Sequence, residues 1–159
     1  MANPDNSSGK ETSMFKRILV AVDGSKASLR ALKRAVELQK LTDAEIFILC
    51  VYKHHSLFEA SLSIGRPAEM EISDKVLEEY ATSVVNHAKD MALKAGASKV
   101  RGFVKGGRPS KTIIKFAHQK GADLIVLGNR GTHSDKDVAL LGSVSHRVTS
   151  HADCPVLIV

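Results

Sequence analysis

Apolar and polar positions along this chain follow two rhythms. Residues 18–22 (ILVAV) are an unbroken apolar run, the pattern of a strand buried on both faces of a parallel sheet. Residues 27–40 then place apolar side chains at helical spacing through Leu32 and Val36, behind Ser25, a hydroxyl suited to capping a helix N-terminus. Further strands are predicted at 45–51 (EIFILCV, apolar after Glu45), 99–104 (KVRGFV), 124–127 (LIVL) and 155–159 (PVLIV). Helical spacing returns three times. Ile72, Val76, Tyr80, Val84, Ala88, Met91 and Ala95 share one face of a long helix closed by Gly96, with Tyr80 and Met91 read as core. Residues 111–119 predict a helix that Gly121 ends, with Pro109 in its first turn. Residues 144–150 predict a last helix, opened by Gly142 and Ser143. The order β-α-β-α-β-α-β-α-β predicts an α/β fold: a single-domain, doubly wound, five-stranded parallel sheet with helices on both faces. Right-handed crossovers and a glycine turn after the fourth strand predict strand order 3-2-1-4-5. Residues 1–14 are polar without an apolar period and are expected to form a disordered tail.

The candidate chemistry gathers at the carboxyl ends of the first and fourth strands, where open α/β sheets bind ligands. Asp23 ends the first strand. It reads either as a ligand contact or as a turn-forming aspartate. Gly128 and Gly131 follow the fourth strand, and Gly142, Ser143 and Ser145 open the last helix. Glycines admit close backbone approach, and a helix N-terminus attracts an anion. Together they make a candidate phosphate cradle; the plainer reading is a long loop whose glycines serve turns. Arg130, between two glycines, reads as a phosphate contact or as a surface arginine.

Other patterns carry less. Residues 102–110 resemble a P-loop by glycine spacing, but Arg108 and Pro109 stand where that loop needs Lys followed by Ser or Thr. A strand-to-helix turn is the better reading. His54 and His55 diverge on most backbones and have no third ligand at metal spacing. His133 and Asp135 fall in a polar loop and read as solvated. Residues 52–72 make a connection long enough to suggest a lid or a partner-binding segment.

Composition narrows the class. The 159 residues, 43% hydrophobic and 25% charged, suit one globular domain. The net charge of +6 comes from lysines and arginines read as scattered. Aromatics are 4% with no Trp, so a stacking platform for nucleic acid is not expected. Cys50 and Cys154 do not make a disulfide framework, and the strand order keeps them apart. Free thiols, no apolar run near the length of a membrane span and no signal-like N-terminus lead to the expectation of a cytoplasmic protein without membrane insertion.

Four stretches, FKRILVAVDGS, GRPSKTII, GNRG with GSVSHRV, and the ending HADCPVLIV, resemble the universal stress protein family from about residue 15 to residue 159. The resemblance implies an adenine nucleotide alpha hydrolase-like domain over residues 15–159. It implies an ATP- or AMP-binding stress-response regulator, a sensor or switch with at most very slow ATP hydrolysis. Ala21, Val22, Asp23 and Val51 would hold adenosine, and Gly107 would border the cleft. Gly128, Arg130, Gly131, Gly142, Ser143, Val144 and Ser145 would hold ribose and phosphates. Mg2+ would accompany ATP, with Asp23 as its candidate contact. Residues 155–159 would pair two subunits into a homodimer. The family's nucleotide-binding branch has nine residues between its glycine pair and Gly-Ser, whereas Thr132 to Leu141 makes ten. The run ILCVYKHHSLFEASLS is also similar to a subfamily associated with TRAP-type solute transporters. The alternative reading is therefore a nucleotide-independent dimeric interaction module that regulates a membrane transporter. A third reading, an adenylate-transferring enzyme, lacks any SGGxDS-like or HIGH-like motif.

Overall fold

The computed structural model describes residues 13–54, 73–131 and 141–159. Most of the 52–72 segment, with His55, lies outside the described residues. So does the ten-residue spacer except Leu141, with His133 and Asp135. The elements are β1 (Arg17–Ala21), α1 (Lys26–Thr42), β2 (Glu45–Tyr52), α2 (Asp74–Lys94), β3 (Val100–Gly106), α3 (Pro109–Lys120), β4 (Leu124–Leu127), α4 (Ser143–His151) and β5 (Val156–Ile158). The strands form one parallel sheet in the order β3-β2-β1-β4-β5, as predicted.

Alternation of side chains along each strand explains why the runs of the central strands β1 and β4 and most of β2 are apolar on both faces. Ile18, Val20, Ile46, Ile48, Leu124 and Val126 point to one face, where α1 and α2 supply Leu32, Val36, Ala81, Val85, Ala88 and Ala92. Leu19, Phe47, Leu49, Ile125 and Leu127 point to the other, under Ile113, Phe116 and Ala117 of α3 and Val148 of α4. Each large buried aliphatic side chain contributes about 1.5–3 kcal/mol. Cys50 and Cys154 are both free, with β1 and β4 between their strands.

One helix face differs from the expectation. On α2 the buried residues are Ala81, Val85, Ala88 and Ala92, while Val76, Tyr80 and Met91 are 52%, 60% and 38% exposed. Two apolar stripes run along this helix. The sheet takes the one made of small residues, because it lets α2 approach β3 closely. Gly102 completes the fit: a Cβ there would overlap Val85 Cγ1. On the opposite face Phe103 of β3 meets Phe47 edge-on at 5.7 Å and Phe116 at 4.9 Å. Pro109 is the first residue of α3 and Gly121 closes it in the left-handed conformation at φ 61°, so the P-loop-like stretch is a strand-to-helix turn.

Candidate functional site

The carboxyl ends of β1 and β4 meet at the centre of the sheet. Past β1, the Val22 N–H donates to Leu49 O at 2.9 Å, and the Val22 side chain is buried in the core. Asp23 is the first residue to leave the sheet. Its Oδ1 accepts the Ser25 N–H at 2.9 Å, a local turn that aspartate makes readily. Its own N–H points to Ser28 Oγ at 3.4 Å. Asp23 Oδ2 lies 3.0 Å from where a Cβ on Gly131 would stand. The turn role thus uses one carboxylate oxygen and sets the other against the glycine turn that follows β4, 108 residues on. Ser25 caps α1 by accepting the Ser28 N–H at 3.1 Å.

The glycine turn is held from two sides. Gly128 abuts the start of α1: a Cβ would meet Ala27 C at 2.7 Å and Ser28 N at 2.9 Å. Its glycine character is therefore required by α1, whatever else lies beside it. Gly128 O accepts the Ser145 hydroxyl at 2.8 Å, and Asn129 O accepts the Gly142 N–H at 2.9 Å. A Cβ on Gly142 would come within 3.3 Å of Asn129 O and 3.5 Å of Arg130 Cα. Ser145 is only 6% exposed, so its hydroxyl proton serves the wall of the site and not the surface a phosphate would touch.

These clamps fix the N-terminus of α4 beside Gly128–Gly131. Ser25 and Ser73 cap α1 and α2 with their side chains, but Gly142 brings no cap and the first turn of α4 has no acidic residue. The first intrahelical bond runs from His146 N–H to Gly142 O at 2.8 Å. Helix geometry leaves the amides of Ser143 and Val144 ahead of it without an intrahelical acceptor, and the positive end of the helix dipole lies there.

Asp23, Gly128, Arg130, Gly131, Gly142, Ser143, Val144 and Ser145 are thus brought together, with Ala21 at the end of β1. Val51 lies one strand over, on the α3 side of β2. Gly107 lies at the far margin of this group: its N–H donates to Tyr52 O at 2.8 Å beyond β3, two strands from β1. Its φ of 142° and the Thr112 Oγ1 2.7 Å from a would-be Cβ account for glycine there. Two contributors escaped sequence reasoning. Asn129 acts through its backbone, and its N–H also donates to Val159 O at 2.8 Å. Tyr80 sets its hydroxyl over Gly24, 3.2 Å from a would-be Cβ, which follows from the rotated face of α2.

Cys50 lies beneath this cleft. Burial, and then the Asp23 carboxylate, pushes its thiol up to about 11. Burial also raises Cys154, with Asp123 and Asp153 adding to the effect. The thiolate is the reactive form, so both cysteines of the native protein are expected to react slowly with iodoacetamide at pH 8, Cys154 before the more buried Cys50. Peptide mass spectrometry of a labelling time course checks this; Cys50 modified first would contradict the burial order.

Residues 14–159 match the universal stress protein family. The chain belongs to that family. It is 38% identical over 150 residues to universal stress protein YxiE of Bacillus subtilis, covering 92% of this chain and 99% of that one. A universal stress protein of Methanocaldococcus jannaschii is 36% identical over 148 residues, covering 92% of this chain and 82% of that one. Among solved structures, a universal stress protein in complex with cAMP has a TM-score of 0.70 and 29% identity, covering 92% of this chain and 98% of that one. Family membership accounts for the parallel sheet and its strand order. Among the described residues, no helix is long and apolar enough to cross a membrane.

Proposed function

We propose that this universal stress protein binds an adenine nucleotide, ATP or AMP, and acts as a regulatory sensor or switch in the cytoplasm. The observation that carries the reading is the junction at the sheet centre. Asp23 abuts Gly131, and the N-terminus of α4, where Gly142 brings no side-chain cap, is tied to the same turn through Gly142 and Asn129. A related protein solved with cAMP supports the same ligand class. In this reading Ala21, Val22, Asp23 and Val51 face adenosine and Gly107 borders the cleft. Gly128, Arg130 and Gly131 lie along ribose and the first phosphates, and the Ser143 and Val144 amides hold the outer ones. Gly142 and Ser145 act by placing that helix end.

Mg2+ fits as a companion of ATP. It is commonly held by one or two carboxylates together with substrate phosphates and water. Asp23 is the carboxylate at this junction, and no group of three or more metal-ligating side chains exists among the described residues. The ion would offset phosphate charge. Backbone donors in this arrangement bind and orient; the reading assigns no general base and no more than very slow hydrolysis.

The test is to denature purified protein and identify what it releases, then to measure the melting temperature with Mg-ATP. Adenine nucleotide near one per chain, or a rise of several degrees at saturation, is expected. An empty supernatant with no thermal shift would sink the reading. It would favour instead a nucleotide-independent dimeric module serving a membrane transporter. The open edge at β5, where Leu157 is 37% exposed, supports homodimer formation through residues 155–159 in either case.

A further inference from the structure

The basic residues are less scattered than composition suggests. Residues 95–122 contain Lys99, Arg101, Lys105, Arg108, Lys111, Lys115 and Lys120 and not one of the 17 acidic residues. The rest of the chain, with 16 basic residues, is close to neutral. The fold gathers this stretch onto one side. Lys99, Arg101 and Lys105 share a side of the edge strand β3 with Phe103, the side away from Gly102 and α2. Lys111 and Lys115 lie on the crest of α3, opposite the buried Ile113, Phe116 and Ala117, and Arg108 precedes them at the N-cap. Lys120 bridges the two groups, its Nζ 5.1 Å from the Phe103 ring and 5.7 Å from Phe116. Arg101 lies 5.5 Å from the same Phe103 ring.

Among the described residues, acidic partners stand only at one end. Lys99 pairs with Asp43 at 2.7 Å and Arg101 with Glu45 at 3.3 Å. Lys105, Arg108, Lys111, Lys115 and Lys120 have no acidic partner within ion-pair distance among the described residues. Lysine on an edge strand discourages strand addition, which accounts for Lys105. It does not account for a helix crest and N-cap carrying three cations and no glutamate, an arrangement that forgoes the usual i,i+4 pairing. α1 is also rich in cations, but Arg34 is paired with Glu37 at 2.7 Å and Lys40 lies against Gly96.

We propose that the β3–α3 face docks on an anionic phospholipid surface. Four to eight clustered lysines and arginines suffice for such attachment, without insertion. A specific protein interface would be poor in lysine and anchored by aromatic side chains, and the exposed large hydrophobic residues all lie outside residues 99–120. Single-stranded nucleic acid would need an open aromatic platform, whereas Phe103 is flanked by two cations. Neither of two cavities, one beside α3 and one beside α1, is lined by any of these seven cations. Mobile lipid headgroups can gather under such a surface without a groove of fixed spacing.

Flotation with vesicles of phosphatidylcholine containing 30% phosphatidylglycerol tests this, across a series of NaCl concentrations. Expected is binding at low salt that fades as salt rises and is absent with phosphatidylcholine alone. Replacing Lys105, Lys111 and Lys115 together by Gln is expected to weaken it about 100-fold, roughly five-fold per lysine. The triple replacement of Lys33, Lys40 and Lys75 by Gln, on α1 and α2, changes net charge equally and is expected to leave binding within about five-fold. Three results overturn the proposal: no vesicle binding at low salt, an equal loss in the second triple variant, or tighter binding to a short nucleic-acid duplex than to the vesicles. Circular dichroism and melting temperature verify that both triple variants fold.

Discussion

Gly128→Ala is expected to lower the stability of the domain by about 1–3 kcal/mol, the range for forced overpacking. For a chain of this size that is a fall in melting temperature of roughly 3–10 °C. The new methyl group would meet backbone on α1, with Ala27 C at 2.7 Å and Ser28 N at 2.9 Å. Backbone at the start of a capped helix cannot swing aside as a side-chain tip can. Relief requires β4 and α1 to separate, which loosens the Asp23 turn as well, so nucleotide affinity should fall with stability. Gly131→Ala is the informative contrast. Its methyl group would meet Asp23 Oδ2 at 3.0 Å, a side-chain end that can rotate, so stability should change less than in Gly128→Ala. A Gly128→Ala protein that melts within a degree of the parent would show that the close approach is not what glycine provides there.

Ser143→Pro is expected to separate binding from folding. Ser143 is the first residue of α4, the helical position where proline is best tolerated. Gly142 before it has φ −58° and ψ 152°, the extended region that a residue preceding proline prefers. The helix should therefore form with unchanged or slightly higher stability. The substitution removes one amide donor and one hydroxyl from the end of the helix. A charge-assisted hydrogen bond is worth about 1.5–3 kcal/mol, so the loss of the amide alone predicts affinity for Mg-ATP lower by roughly ten- to a hundred-fold. Calorimetric titration beside a melting curve gives both quantities. Undiminished affinity in a protein of unchanged stability would remove the amide of Ser143 from the proposed phosphate site, while a large fall in melting temperature would mean that α4 starts differently.

Much of the architecture was legible because it rests on local patterns. The runs at 18–22, 46–51 and 124–127 are apolar throughout because both faces of their strands are covered, and such runs admit few alternatives. Pro109 and Gly121 bracket α3 for reasons carried by single residues: a missing N–H at one end and a tolerated positive φ at the other. The face of α2 is only partly legible, because the predicted stripe Val76-Tyr80-Val84-Ala88-Met91 and the buried set Ala81-Val85-Ala88-Ala92 are both apolar at helical spacing and share Ala88. The choice between them depends on Gly102 in β3, which admits Val85. Asn129 was invisible to side-chain reasoning because its contribution is a carbonyl oxygen and an N–H. Ser145 was read as a phosphate donor because a hydroxyl on an early helix turn looks alike whether it faces ligand or wall.

The sequence by itself determined the alternation of strand and helix, the parallel sheet and the end of the sheet where glycines, Asp23 and the start of the last helix collect. Those follow from periodicity and from backbone freedoms that belong to individual residues. Tertiary structure decided which atoms face one another. Only packing of α1 against β4 makes Gly128 sterically required, only the contact across the sheet centre brings Asp23 to Gly131, and only the turn of Asn129 commits the Gly142 amide. These contacts join residues 100 or more positions apart, or act through backbone groups common to every residue, so no local pattern encodes them. The same holds for the basic face: its seven cations can be counted along the chain, but their gathering on one side comes from laying α3 beside β3.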